Sequence, residues 1–185
     1  MDHFGVEGII RRFEQLDDDL LSLVSFDTRI EMTIVGGSAL MLLGLTTDTR
    51  MTTDIDVMEA ALEMENLLER YGMNQHVMNF RFRLPENWFS RRQKLPFEGM
   101  VLDVYSPSNE DLAILKLDAY REVDQNDLKD MVSMRRIDFE LLQSILNNDA
   151  EMRVNYDTED EWRTFLSHYR EIVCFAHSIE DRGRP

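Results

Sequence analysis

Cysteine is almost missing from this chain, with Cys174 standing alone among 185 residues. One thiol closes no intramolecular disulfide, so stability has to come from a packed core, and a reducing compartment is expected. Between Ile172, Val173 and Phe175 the thiol reads as a small core residue and not as a nucleophile. No apolar run approaches the length that crosses a bilayer. Asp17-Asp18-Asp19 fall where a secretory leader would need its apolar segment, so no leader is expected. A cytoplasmic protein without membrane contact follows as the expectation. The four histidines, His3, His76, His168 and His177, lack zinc-ligand spacing, and no Ser-His-Asp or Cys-His arrangement emerges. Repeats, low-complexity tracts and flexible linkers are absent as well. At 43% hydrophobic content, residues 1–185 read as a single domain with a full core.

Positive charge is the other shortage. Twenty Lys and Arg face 36 Asp and Glu, a formal net charge of −16. So acidic a surface repels a phosphodiester backbone and disfavours nonspecific nucleic-acid binding. One stretch runs against it: Arg81, Arg83, Arg91, Arg92 and Lys94 meet only Glu86, with Trp88 and Phe89 among them. It reads either as a hairpin edge whose cations pair with the surplus acids, or as a basic flap over a triphosphate or an RNA landing site.

The segment that carries chemistry is Ile34 to Val57, IVGGSALMLLGLTTDTRMTTDIDV. An apolar strand over Met32–Val35 ends in Gly36-Gly37-Ser38, a helix follows to Leu45, and a second strand over Thr52–Met58 bears Asp54-Ile55-Asp56. Alternation along a strand puts Asp54 and Asp56 on one face. Paired carboxylates repel unless a cation lies between them, and Mg²⁺ takes oxygen ligands shared with substrate phosphates. Glycines upstream let the backbone approach a phosphate closely.

Elsewhere the order is mixed α/β. Residues 4–24 form an amphipathic helix through Phe4, Ile9, Ile10, Phe13, Leu16, Leu20 and Leu23. Ala60–Tyr71 predicts a helix ended by Gly72, Gln75–Leu84 a strand, Pro85–Phe97 a polar loop, and Glu98–Tyr105 a strand carrying Asp103. Ser108 and Asp111 make an S-x-x-D capping pattern, so a helix starts after Pro107 and includes Lys116. Arg121, Asp124 and Asp127-Leu128-Lys129-Asp130 come next. Ile137–Leu142 reads as a packing helix, and Trp162, Phe165, Leu166, Tyr169, Ile172, Val173 and Ala176 make an apolar helical stripe.

The glycine turn, helix and D-x-D strand resemble the signature of the DNA polymerase beta-like nucleotidyltransferase superfamily. The longer spacer, with Arg50 inside Thr46–Thr53, looks like the minimal bacterial branch related to abortive-infection toxins. The lysine-bearing helix followed by Arg121 and Asp127-Leu128-Lys129-Asp130 is similar to that family's second signature. The resemblance implies a small mixed sheet with flanking helices, a core over about 28–134 and a helical extension over about 135–180. It implies a nucleoside triphosphate over Gly36, Gly37 and Ser38, with Mg²⁺ or Mn²⁺ on Asp54, Asp56 and a third carboxylate, Asp103. Lys116 and Arg121 would steady the triphosphate, oriented by Asp127 and Asp130. The acceptor hydroxyl would belong to a small molecule, tRNA or a protein. A toxin–antitoxin role, with an antitoxin or a second copy as partner, goes with that branch. The alternative is a non-catalytic nucleotide-binding or antitoxin-like interaction protein of the same fold.

Overall fold

The computed structural model describes residues 3–47, 49–147 and 152–182. They fall into two compact units, Met1–Arg81 with Arg91–Pro107, and Phe82–Ser90 with Ser108–Pro185.

The first unit is built on a five-stranded mixed sheet in the order β3-β2-β1-β5-β4. Its strands are β1 (Ile30–Val35), β2 (Ile55–Ala60), β3 (Met73–Asn74), β4 (Gln93–Lys94) and β5 (Leu102–Ser106). β1 runs antiparallel to β2 and parallel to β5, which fixes the two faces by register. Ile30, Met32, Ile34, Val57, Leu102 and Val104 share one face and are all buried. Glu31, Thr33, Asp56, Asp103 and Tyr105 share the other. A bulge between Thr33 and Ile34 shifts the β2 register, so that Thr33 pairs with Glu59 and Val35 with Asp56.

Helix α1 (Val6–Leu21) buries Ile9, Phe13, Leu16 and Leu20 at helical spacing, while Leu23 lies past its end and is exposed. Its buried Asp17 accepts the N–H groups of Met100, Val101 and Leu102 at 2.7–2.9 Å and so anchors the entry to β5. Three charge-assisted bonds repay the burial of that carboxylate. Helix α2 spans Gly36–Leu42, beginning at the glycine turn itself.

The expected helix over Ala60–Tyr71 is broken into a 3₁₀ turn, the four-residue α3 (Glu65–Leu68) and a second 3₁₀ turn, closed by Gly72 at φ 67°. The strand expected over Gln75–Leu84 is a correction: Met78–Arg83 winds as a 3₁₀ helix. Its alternating apolar residues Met78, Phe80 and Phe82 are exposed, so nothing rewards an extended run beyond the two-residue edge strand β3. The Pro85–Phe97 loop contains a 3₁₀ helix with Trp88 buried, and then β4.

The second unit holds α4 (Asn109–Ala119), α5 (Glu122–Ser133), α6 (Phe139–Asn147) and α7 (Glu159–Arg182). The cap forms as the sequence implies, with Ser108 Oγ accepting from Asp111 N at 3.1 Å. Trp162, Phe165, Tyr169, Ile172 and Ala176 form the buried stripe of α7. Cys174 falls off that stripe and is exposed, which corrects its reading as a core residue. Among the described residues no helix is long and apolar enough to cross a membrane.

Candidate active site

The carboxylates of Asp54 and Asp56 are held together by one side chain that sequence reasoning missed. Asn74 Nδ2 donates to Asp54 Oδ2 and to Asp56 Oδ1, both at 3.1 Å. The amide reaches them because β3 runs parallel to β2 with Asn74 opposite Asp56. Its Oδ1 accepts from the His76 N–H at 3.1 Å, which fixes which end of the amide faces the acids. Only its place two residues after Gly72 could have drawn attention to it.

The turn above this pair is shaped around it. Gly36 has φ 69°, a left-handed conformation suited to glycine. A Cβ there would stand 2.4 Å from Asp56 Oδ2. Gly37 faces Arg50, whose Nη2 would lie 3.3 Å from an added Cβ. Ser38 is buried, and its Oγ donates to the Asp54 carbonyl at 2.9 Å. Thr52 Oγ1 donates to the same carbonyl at 3.0 Å. Ser38 is therefore a positioning residue: it ties α2 to the carboxylate-bearing strand.

Asp103 does not join the pair. It stands opposite Glu31, whereas Asp56 stands opposite Val35, four residues along the shared neighbour β1. At ~3.3 Å per residue the two are roughly 13 Å apart along the sheet. Asp103 Oδ1 accepts instead from Lys94 Nζ at 2.6 Å, with Arg29 Nη1 at 3.9 Å. Its hydrogen bond holds the Lys94 ammonium above its ordinary pKa. The basic stretch is likewise spent on acids: Arg81 lies 3.9 Å from Glu59, Arg83 3.7 Å from Asp118, and Arg92 2.9 Å from Glu31. Arg92 also donates to Thr33 Oγ1 and covers the Tyr105 ring at 4.6 Å.

Lys116 lies in the second unit, buried, with Nζ 2.7 Å from Asp124 and 2.8 Å from Asp127. Two carboxylates neutralise it, so it has the surroundings of a structural cation and not of a mobile phosphate ligand. Arg121 Nε donates to Asp124 at 2.7 Å, on a largely exposed side chain. Burial alone would raise the Asp124 pKa, but Arg121 and Lys116 outweigh it and hold the carboxyl below its ordinary value. The acidic pair on the lysine is thus Asp124 and Asp127, one helical turn before the Asp127 and Asp130 expected from the motif. Both motif positions lie inside α5.

For metal chemistry the donor set is oxygen from two carboxylates, with a neutral amide between them. Mg²⁺ is commonly bound by one or two carboxylates plus substrate phosphates, so Asp54 and Asp56 fit such an ion. Among the described residues no three His, Cys, Asp or Glu side chains converge on one metal position. Phosphates would have to complete the coordination.

A mixed sheet in which a strand, glycine turn and helix lead into a strand with paired aspartates is a nucleotidyltransferase core. Residues 11–175 match the family described as nucleotidyltransferase of unknown function (DUF6036), and the chain belongs to it. No curated protein and no solved structure matches the chain.

Proposed function

We propose that this chain is an enzyme that moves a nucleoside monophosphate from a nucleoside triphosphate to an acceptor hydroxyl, with Mg²⁺ or Mn²⁺ held by Asp54 and Asp56. The observation that supports this most is the single Asn74 amide spanning both carboxylates beneath the Gly36 turn. It marks a place where two carboxylates are kept adjacent by a neutral donor. When bound, the ion would neutralise phosphate charge and favour departure of pyrophosphate. Gly36 and Gly37 leave room for phosphate oxygens beside the backbone. Ser38 and Thr52 fix the main chain of Asp54, so its carboxylate needs no reorganisation as charge develops. Arg50, against Gly37, adds positive charge on the triphosphate side of the turn. The acceptor oxygen attacks the α-phosphorus in line, its proton passes to solvent, and the bond from the α-phosphorus to the bridging oxygen breaks as pyrophosphate leaves.

The acceptor would be a small molecule, tRNA or a protein. The likeness of Thr46–Thr53 to the abortive-infection branch supports a toxin–antitoxin setting. A second reading, nucleotide binding without turnover, draws on the position of Asp103 away from the pair. Incubation with α-labelled nucleoside triphosphates, Mg²⁺ and pools of tRNA, protein or small hydroxyl compounds separates the two. Covalent label transfer that disappears in Asp56→Asn is expected. Metal-dependent binding with no transfer to any pool would favour the second reading.

A further inference from the structure

Asn74 touches both carboxylates of the pair yet withholds a ligand from a cation. An amide nitrogen carries two hydrogens, and both are committed to acids: Nδ2 donates to Asp54 Oδ2 and to Asp56 Oδ1, each at 3.1 Å. The amide oxygen is the one side-chain atom that could ligate a metal, and it accepts the His76 N–H at 3.1 Å. The ligand end is thus spent on the backbone and the donor end on the acids.

The main chain places this side chain. Met73 is 3% exposed and pairs with Ile55, Asn74 pairs with Asp56, and Ile55 N donates to Gly72 O at 3.1 Å. The Asn74 side chain itself belongs to a half-buried residue. A side chain of the same shape and different charge would therefore fit here without rebuilding the strand.

Asp54, Asp56 and Asn74 together give the site two negative charges, with one oxygen of each carboxylate held by a neutral donor. Mg²⁺ requires a near-octahedral set of oxygens and sheds its water reluctantly, so such a site takes the ion chiefly together with substrate phosphates. A third carboxylate at the place of the amide would add an oxygen and a charge where the nitrogen now stands.

We propose that Asn74 is a positioning residue that ties metal binding to the triphosphate: it presents Asp54 and Asp56 in one arrangement and keeps the pair a weak site for a free ion. The inference rests on the reading of Asp54 and Asp56 as the metal ligands. Side chains bonded to a ligand, and not to the ion, alter metal affinity by about 10–100-fold when removed.

The test compares wild type, Asn74→Ala and Asn74→Asp by calorimetry and thermal melts. Each is given Mn²⁺ alone, and Mn²⁺ with an equimolar mixture of the four nucleoside triphosphates. Wild type should respond weakly to Mn²⁺ alone and strongly to the combination. Asn74→Asp keeps an acceptor for the His76 N–H and turns the donor into a third carboxylate oxygen. Without metal it should melt below wild type through like-charge repulsion. With Mn²⁺ alone it should recover that loss and bind at least about tenfold tighter than wild type. Adding Asp54→Asn to it should return the response to Mn²⁺ alone to the wild-type level, since two carboxylates remain. Asn74→Ala should gain nothing with Mn²⁺ alone and lose about tenfold in affinity for the combination. A residue that only ties down β3 predicts lower stability in both variants with an unchanged metal response. That result, or wild type binding Mn²⁺ alone as tightly as Asn74→Asp, would overturn the inference. A tighter Mn²⁺ complex in Asn74→Asp, beside a wild type blind to the added nucleotides, would support the role of Asn74 and contradict the nucleotide reading, so the two failures are told apart.

Discussion

Asp56 Oδ2 occupies the space that a side chain on Gly36 would need, since an added Cβ would stand 2.4 Å away. The glycine answers two demands at once: a φ of 69° and room for the carboxylate.

Gly36→Ala should therefore cost about 1–3 kcal/mol of stability from backbone strain and displacement of Asp56. It should also weaken the response to Mn²⁺, because the far end of Asp56 is what has to move. Gly44 has φ 62° with open space at its Cβ position, so Gly44→Ala should show the strain alone. Melts of both variants with and without Mn²⁺ check this. Equal Mn²⁺ responses in the two would contradict it.

Two carboxyls of the second unit should titrate with opposite signs. The folded pKa of Asp124 is lowered, so its contribution to stability is present above the unfolded value near 4 and fades as pH falls through the folded value. Burial raises the Asp118 pKa, outweighing Arg83, so its charge costs stability once pH rises through the folded value. Asp124→Asn should be strongly destabilising at pH 7 and progressively less so toward pH 3. Asp118→Asn should raise stability at pH 7, with the gain shrinking in acid. Denaturant unfolding of both variants across pH 3–7 is the measurement, and parallel profiles would contradict the assignment.

The basic stretch should behave as structure. Arg92 bonds to Glu31 and Thr33 and covers Tyr105, so Arg92→Ala should destabilise by about 1–2 kcal/mol. Arg92→Lys should recover little of it, because an ammonium cannot make the forked contact and lie flat on the ring. Nucleotide affinity should change less than twofold. A micromolar, salt-dependent tRNA complex lost in Arg92→Ala would contradict this and restore the RNA reading.

The core of the fold was legible because its signals are local. Gly36-Gly37 required a turn, period-2 spacing placed Asp54 with Asp56, and Ser108 with Asp111 marked the start of α4. What failed depended on register or partners. Asp103 sits on a correctly located strand, yet parallel pairing with β1 sets it beside Glu31 and Lys94. Asn74 enters the site only through the β2–β3 pairing, which no motif announces. Met78–Arg83 alternates like a strand but finds no ladder to join. Lys116 was expected to steady the triphosphate, and the structure places it buried between carboxylates. Its partners, Asp124 and Asp127, are set by the approach of α4 and α5, which linear spacing does not give.

The most direct measurement is a calorimetric titration of nucleoside triphosphate into wild type, Asp54→Asn and Asp56→Asn, each with and without Mg²⁺. Wild type should bind in a metal-dependent way. Both variants should lose that dependence while melting within a few degrees of wild type, since like-charge repulsion at the pair is relieved. Metal-dependent affinity that survives unchanged in both variants would show that Asp54 and Asp56 do not hold the ion.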